Sequence, residues 1–268
     1  MKHPAQRVLD ENYSLYHKAE YIDPDPLLFP RRYSNPLDVE AAAFIAAAFA
    51  LGRVNLIITF LERIFGALGP DGPHKGLTDR TDLELAELFA DFKYRFYSSY
   101  DIIHFMQGLR RLYLDYGSIE ACFVNGRRAA GTKGLPEHPS LAGLAAVADA
   151  VNREGSNRNV VSNPRGGSAC KRLFLFLRWV VRCDEIDPGI WTLPLSELII
   201  PLDTHVMRVS RYLGLTDRKS ADFKTAMEIT ENLKLIDKED PVRYDFSMSR
   251  IGIHPDLDYS DLGKHKEM

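Results

Sequence analysis

Residues 162–182 read Ser-Asn-Pro-Arg-Gly-Gly-Ser-Ala-Cys-Lys-Arg-Leu-Phe-Leu-Phe-Leu-Arg-Trp-Val-Val-Arg. A proline and two glycines open this stretch, and from Leu173 onward apolar side chains occupy nearly all sides of a helix. A surface helix has one apolar stripe, whereas a helix that is apolar all round is covered by its neighbours. The stretch therefore predicts the central buried helix of an α-helical protein, over residues 167–182.

The rest of the chain shows the same helical pattern. Asn35 before Pro36, with Asp38 in the first turn, predicts an N-cap and a helix start. Sustained alternation of apolar and polar residues, which is typical of strands, is almost absent. The sequence therefore predicts an all-α fold of about eight to ten helices. Helices are expected over 36–51, 53–68, 83–91, 101–115, 140–153, 167–182, 204–213, 220–233 and 241–251, and loops over 124–138 and 154–168.

The composition excludes several classes of protein. The chain has 268 residues and only three cysteines, without a CxxC pair, which argues against a disulfide framework, a thiolate zinc site and an iron–sulfur cluster. Its longest apolar run, from Ala41 to Leu51, has 11 residues and is too short to cross a bilayer. No apolar segment of a secretory signal follows the first residues. We expect a cytoplasmic protein with free thiols.

Charge is unevenly distributed along the chain. The formal net charge is −3, which taken whole argues against a nucleic-acid partner. Residues 102–183, however, hold twelve basic and five acidic side chains, a local charge of +7 that leaves −10 for the remainder. This basic stretch could neutralise phosphates. Alternatively, its arginines lie on solvated helix faces and pair with acids from the ends of the chain.

Lys171 is the first candidate for chemistry. It falls near the start of the predicted central helix, where Gly166 and Gly167 would let the backbone approach a ligand and helix-start N–H groups would suit a phosphate. In its neutral form a lysine can attack an electrophilic carbon and form a Schiff base. The alternative is a structural lysine, whose stem is buried and whose ammonium reaches water.

Asp203 is the second candidate. It lies in the segment Pro201-Leu-Asp-Thr-His-Val-Met-Arg-Val209, directly before a predicted helix. An aspartate there is typical of an N-cap, and this could be its whole role. A carboxylate held by helix N–H groups could also stabilise a sugar cation or activate a nucleophile, so the two roles are compatible.

The two segments together resemble the helix-hairpin-helix base-excision DNA glycosylases, the endonuclease III superfamily. In that superfamily an aspartate opens a helix in the context Asp-Thr/Tyr-His/Arg-apolar-x-Arg-apolar, which matches residues 203–209, and bifunctional members place a lysine at the second helix of the hairpin, which matches Lys171. The separation of 32 residues between the lysine and Asp203 resembles the archaeal 8-oxoguanine glycosylase branch. The whole chain also resembles a bacterial family of the same superfamily, through Gly-Ser-Ala-Cys-Lys-Arg-Leu and Asp187-Pro-Gly-Ile-Trp191.

This resemblance implies a fold more specific than all-α. It implies a two-lobed helix-hairpin-helix glycosylase fold in which the active-site cleft lies between the lobes. The chain would be a single unit over 1–268, with a central hairpin lobe at about 101–215 and a second lobe formed by about 1–100 with 216–268.

The resemblance also implies an activity and a set of site residues. The protein would be a monomeric DNA glycosylase and AP lyase, associated with the nucleoid, acting on damaged double-stranded DNA and removing an oxidised purine such as 8-oxoguanine. No cofactor is expected, and the absence of HxxxH and HExxH spacings argues against a protein metal site. Lys171 would attack C1′ and Asp203 would stabilise charge there, while Trp191 is the candidate for the base pocket. The residues expected to contact DNA are Arg165, Gly166, Gly167, Ser168, His205 and Arg208.

Two other functions fit the same sequence. A helix-hairpin-helix protein can bind damaged or branched DNA without cutting it. Alternatively, the chain is an all-α scaffold without a nucleic-acid role, in which the arginines are solvated surface residues.

Overall fold

A computed structural model of the protein describes residues 4–129, 138–153, 159–166 and 168–253. Within these ranges the regular structure is helical, apart from isolated bridges between Tyr94 and Tyr97 and between Cys183 and Pro188. The all-α prediction is confirmed. The α-helices of the described ranges are α1 (Gln6–Tyr16), α2 (Pro36–Ala48), α3 (Val54–Leu68), α4 (Pro73–Thr78), α5 (Asp82–Leu88), α6 (Ser99–Tyr116), α7 (Ile119–Ala129), α8 (Pro139–Val151), α9 (Lys171–Val181), α10 (Thr204–Tyr212), α11 (Phe223–Lys234) and α12 (Asp245–Ile253).

Local caps explain where several helices begin. The backbone N–H of Leu37 donates to the side chain of Asn35 at 2.9 Å, as the Asn35–Pro36 pattern predicts for the start of α2. Reciprocal capping boxes start α5, through Thr81 and Glu84, and α6, through Ser98 and Asp101. None of the helices in the described ranges is both long enough and apolar enough to span a bilayer.

The sequence does not predict α1, α4 or α7, and the reason is clearest for α7. Its first N–H groups, those of Ile119 and Glu120, donate to the carboxylate of Glu40 on α2 at 2.8 and 3.0 Å. This cap comes from far along the chain, so no local pattern marks the helix start. The expected loop over 124–138 is therefore helical up to Ala129, and residues 130–137 lie outside the described ranges.

The chain divides into two compact units. Unit 1 comprises Met1–Asp23 and Ala169–Met268, and unit 2 comprises Pro24–Ser168. These boundaries differ from those of the expected lobes, because the central hairpin lobe is expected to begin at about residue 101 and to end at about residue 215. The packing explains the difference, because α6 packs against α4, α7 and α8, and α4 packs against α2, so that these helices share one core.

In unit 1 the N-terminal segment is fastened to the C-terminal helices. α1 packs against α12, and α12 packs against α10. The Tyr244 hydroxyl donates to Asp10 at 2.6 Å, and His17 Nε2 lies 2.9 Å from Asp184 Oδ2. These contacts join the two ends of the chain within one unit, which local sequence patterns do not reveal.

α9 is buried along most of its length, as its apolar sequence predicts. Eight of its 11 residues are buried, including Trp179 and the charged residue Arg178. The expected start of this helix at residue 167 is wrong, because α9 begins at Lys171. A short 3₁₀ turn occupies Pro164–Gly166, and Cys170 has a left-handed φ of 46°, so the backbone turns into the helix only after it.

Candidate active site

Lys171 and Asp203 lie side by side in unit 1. Lys171 is the first residue of α9 and Asp203 is the N-cap of α10, and Lys171 Nζ is 3.3 Å from Asp203 Oδ2. Their side chains are 33% and 18% exposed, so a bound molecule can reach both. The structure thus brings together the two residues that the sequence predicts for chemistry.

The two oxygens of Asp203 have separate partners. Oδ1 accepts hydrogen bonds from the backbone N–H groups of His205 and Val206, each at 2.8 Å. Oδ2 faces Lys171. Asp203 is therefore an N-cap, as predicted, and it still offers one oxygen to a second group.

His205 shares the electrostatic environment of this pair. Burial lowers its pKa below the ordinary value of 6.5; Asp203 opposes this shift, and the positive charges of Lys171, Arg208 and Arg250 add to it. The His205 imidazole is therefore neutral at pH 7. A neutral imidazole can still donate or accept a hydrogen bond, but it adds no charge to a phosphate contact.

Two charged residues of α12 interact with this site or its supporting helix, and local sequence patterns do not predict them. Asp245 is buried and bonds Arg178 Nη1 at 2.5 Å, while Arg250 is buried and donates to the Tyr21 carbonyl at 3.0 Å. The sequence predicts a helix over 241–251, but an acid in the first turn of a helix is also what the helix dipole favours at an exposed site. No signal in the sequence therefore distinguishes Asp245 from a surface residue.

Asp245 is electrostatically coupled to the candidate site. Burial raises its pKa to about 6; Arg178 opposes the rise, and the negative charges of Asp203 and Asp187 add to it. A change in the charge of Asp203 will therefore shift the pKa of Asp245, and the charge of Asp245 acts electrostatically on Asp203.

A buried ion-pair network lies at the C-terminal end of α9, where it involves Arg178 and the following residue Arg182. Arg178 Nη2 is 2.8 Å from Asp187 Oδ1, and Arg182 Nη1 is 2.8 Å from Asp187 Oδ2. Arg182 also pairs with Asp240 at 2.9 Å. Burial alone would lower the pKa of Arg178, but the charges of Asp187 and Asp245 raise it above the ordinary value, so this arginine stays charged.

The basic stretch of residues 102–183 is largely neutralised within the fold. Among the described residues, at least seven of its cations form ion pairs: Arg110 and Arg111 with Asp82, Arg153 with Asp115, Arg165 with Asp149, Lys171 with Asp203, Arg178 with Asp187 and Asp245, and Arg182 with Asp187 and Asp240. The arginines thus pair with acids, as the second interpretation of the charge pattern expects, but Arg178 and Arg182 are buried rather than solvated, and Asp115 and Asp149 come from the stretch itself rather than from the ends of the chain.

The residues predicted to contact DNA are divided between the units. His205 and Arg208 lie on α10 in unit 1, with the Lys171–Asp203 pair. Arg165, Gly166 and Ser168 belong to unit 2, where Arg165 pairs with Asp149 at 2.6 Å, and Gly167 lies outside the described residues.

Trp191 occupies a core position. Its side chain is 6% exposed, its ring meets Phe176 edge-on at 5.3 Å, and its backbone N–H donates to Val180 at 2.7 Å. The structure therefore gives Trp191 a packing role beside α9, and a base pocket would need the indole to become accessible. Among the described residues, no group of three or more His, Cys, Asp and Glu side chains is arranged to hold a metal ion.

Comparison with known proteins identifies one family. The family model described as "Protein of unknown function (DUF2400)" matches residues 25–254. No curated protein and no solved structure matches the chain. The matched range contains all helices from α2 to α12, together with both residues of the candidate pair. Because the match covers most of the 268 residues, the chain belongs to the DUF2400 family.

Proposed function

We propose that this protein is a DNA glycosylase with AP lyase activity, which removes an oxidised purine such as 8-oxoguanine through a Schiff base on Lys171. One observation carries the proposal: an accessible lysine at the start of a buried helix lies 3.3 Å from a carboxylate oxygen that has no role in capping α10. These are the lysine and the aspartate on which the resemblance to the helix-hairpin-helix glycosylases rests. The two-lobed fold of that superfamily is part of the proposal.

The pair can carry out the first proton transfer. Lys171 must lose a proton before its nitrogen can attack, and Asp203 Oδ2 is within reach to accept it. Since Oδ1 is held by two backbone N–H groups, the carboxylate keeps its orientation while Oδ2 exchanges a proton. A nucleophile and its base are thus positioned by two different helix starts.

The same two residues take part in the later steps, Lys171 as the nucleophile and Asp203 as the carrier of the proton. The electron pair of Nζ forms a bond to C1′ of a nucleotide flipped out of the duplex, and the C1′–base bond breaks. The base leaves with the bonding electrons and takes up the proton that Asp203 had accepted. The C1′–O4′ bond then breaks as the secondary ammonium passes one of its protons to O4′, which leaves a protonated Schiff base between Nζ and C1′. Loss of a proton from C2′ places a double bond between C2′ and C3′ and expels the 3′ phosphate.

The substrate would be damaged double-stranded DNA. His205 and Arg208 on α10 are the proposed contacts to the DNA backbone beside the pair, and Arg208 carries the positive charge because the His205 imidazole is neutral at pH 7. Arg165 would contribute only by exchanging Asp149 for a phosphate.

Borohydride trapping tests this proposal. The full-length protein is incubated with duplexes containing 8-oxoguanine, uracil, an alkylated purine or an abasic site, and borohydride reduces any Schiff base to a stable adduct. We expect an adduct with wild type and none with Lys171→Gln. Lys224→Gln, which changes an exposed lysine of α11 in the same unit, is the matched control and should trap as wild type does. An adduct with Lys171→Gln would remove Lys171 from the mechanism.

DNA binding without chemistry is the second candidate. It is favoured by the fact that Lys171 and Asp203 already satisfy one another as an ion pair, while Asp203 also caps α10. In that case wild type and Lys171→Gln would bind abasic DNA equally well and neither would cut it. If the scaffold role applies instead, binding will be absent and no salt dependence will be seen.

A further inference from the structure

A surface in unit 2 combines an exposed aromatic ring with positive charge. Residues Tyr94–Tyr97 form a tight turn in which each tyrosine N–H donates to the other's carbonyl, at 3.0 and 2.8 Å. Both tyrosines are buried, whereas Arg95 and Phe96 at the tip are exposed, Phe96 to 46%. We call this the aromatic turn.

The aromatic turn is held rigidly. The Tyr94 hydroxyl donates to the Leu51 carbonyl at 2.7 Å, and its ring stacks on Phe60 at 4.4 Å. Arg95 has a left-handed φ of 54°, which is unusual for a residue with a side chain. Its guanidinium lies against Gly52, where any side chain would collide with it. The tip is therefore fixed in place before a partner arrives.

The exposed charged residues next to the tip in sequence are mostly positive. Lys93 and Arg95 flank Phe96 closely in sequence, and Arg53 follows the glycine on which Arg95 rests. Asp91 is the exposed acid of this segment, whereas the carboxylate of Asp101 is used in the cap of α6. The exposed charge near the ring is thus suited to an anionic partner.

A second ring pair, with Tyr100 exposed, follows a few residues later, at the start of α6. Tyr100 is 48% exposed and its ring centroid lies 3.9 Å from that of His104. The His104 Nδ1–H donates to the Tyr100 carbonyl at 2.9 Å, which fixes the imidazole over the tyrosine. Two sets of accessible rings therefore lie within one short segment of unit 2.

We infer that the aromatic turn binds unpaired DNA bases, with Phe96 stacked on a base and Lys93 and Arg95 on the flanking phosphates. Exposed aromatic rings interleaved with cations are how proteins hold single strands, because every base has a face on which a ring can stack. A protein partner fits less well, since a stable protein interface needs a broad, well-packed surface of about 1,000 Å² or more. The inference depends on the proposed function for the identity of the nucleic acid.

Oligonucleotide binding by the full-length protein tests the inference. The probes are a short single strand with a 2-aminopurine, a duplex with the same base left unpaired opposite an abasic analogue, and a fully paired duplex. Phe96→Leu keeps the apolar side chain but removes the ring, and we expect it to weaken binding of both unpaired probes about tenfold and to abolish 2-aminopurine quenching. Binding of the fully paired duplex should not change.

Two variants serve as controls. Phe96→Tyr restores a ring and should bind and quench as wild type does, and Leu83→Ala truncates a 69% exposed side chain on α5 of the same unit and should have no effect. Equal binding of the unpaired probes by Phe96→Leu and wild type would overturn the inference, as would an equal loss on the paired duplex.

The experiment also separates this inference from the proposed function. In a protein that carries Lys171→Gln, Phe96→Leu should weaken binding of the unpaired probes as much as it does in wild type, because the ring acts in binding and the lysine in chemistry. If wild type forms the borohydride adduct but Phe96→Leu binds normally, the aromatic turn is not a base-binding surface and the proposed function still stands. If wild type binds none of the probes but forms the adduct, only the inference is wrong; if it neither binds a probe nor forms an adduct, both are wrong.

Discussion

Lys171 Nζ lies 3.3 Å from Oδ2 of Asp203, while Oδ1 of the same carboxylate accepts hydrogen bonds from the backbone of His205 and Val206. The cap of α10 and the ion pair with the lysine thus use different atoms of one side chain. A substitution that preserves one interaction and removes the other can therefore separate the structural role of Asp203 from the proposed chemical one.

Asp203→Asn should leave the fold intact and stop the chemistry. Asparagine is as good an N-cap as aspartate, and loss of a partly exposed ion pair costs less than about 1 kcal/mol. Asp203→Ala loses the cap as well, at a further cost of about 1 kcal/mol. We therefore expect stability to fall from wild type to Asp203→Asn to Asp203→Ala. Urea unfolding followed by tryptophan fluorescence measures these stabilities, because Trp179 and Trp191, the only two tryptophans, both belong to unit 1.

The same variants bear on the proposed mechanism. Asp203→Asn should bind DNA but fail to excise the base, since an amide cannot accept the proton of Lys171. Excision at the wild-type rate by Asp203→Asn would leave the carboxylate with a capping role alone. Equal stabilities of the Asn and Ala variants would show instead that the cap contributes nothing.

Removing Arg178 should destabilise unit 1 strongly. Arg178→Gln leaves the buried carboxylate of Asp245 without its ion-pair partner and Asp187 with Arg182 alone, and breaking a buried pair in this way costs about 3–5 kcal/mol. The matched control is Arg7→Gln on α1 of the same unit, whose pair with Glu11 is exposed and should not shift the urea midpoint. Similar midpoints for the two variants would show that the network is not a major source of stability.

The pKa of Asp245 predicts a pH dependence with a definite sign. Its pKa is raised from 3.8 to about 6 in the folded protein, so between these values the folded state holds a proton that the unfolded chain has lost. This contribution to stability is present at acid pH and is lost as the pH rises through about 6.

Asp245→Asn removes that dependence. Relative to the variant, wild type should lose about 1 kcal/mol of stability between about pH 5 and about pH 7.5. The difference between the two proteins cancels the contributions of other groups, including His205, whose lowered pKa acts in the opposite direction. Urea unfolding at the two pH values is the measurement, and parallel pH profiles would contradict the pKa assignment.

The features that the sequence predicts correctly are those with local causes. The caps at Asn35 and Asp203 involve a side chain and a backbone N–H two or three residues away, so the pattern contains both partners. The burial of α9 follows from its own apolar residues. The approach of Lys171 to Asp203 is not local, and only the resemblance to a known superfamily, in which both residues would act at C1′, implies it.

The features that the sequence does not predict depend on distant partners. Glu40 caps α7 from another helix, and α6 packs with the preceding helices α4 and α5 of unit 2. Arg178 has the same local pattern as a solvated arginine, and only its contacts with Asp187 and Asp245 show that it is a core residue. Residue counts along the chain could not show that most of the positive charge is already paired.

Replacement of glycine by alanine should have opposite effects on stability at two positions of unit 2, Gly108 and Gly66. At Gly108 on α6 a Cβ would collide with the backbone carbonyl of Val151 at the end of α8, and no flexible side chain can move to relieve the clash. Gly108→Ala should therefore force α6 and α8 apart, at a cost of about 1–3 kcal/mol or more. At Gly66 on α3 a Cβ would meet open space, so Gly66→Ala should stabilise the helix by up to about 1 kcal/mol. Thermal unfolding followed by far-UV circular dichroism compares the two variants with wild type, and a Gly108→Ala protein as stable as Gly66→Ala would mean that α6 and α8 are not packed in backbone contact.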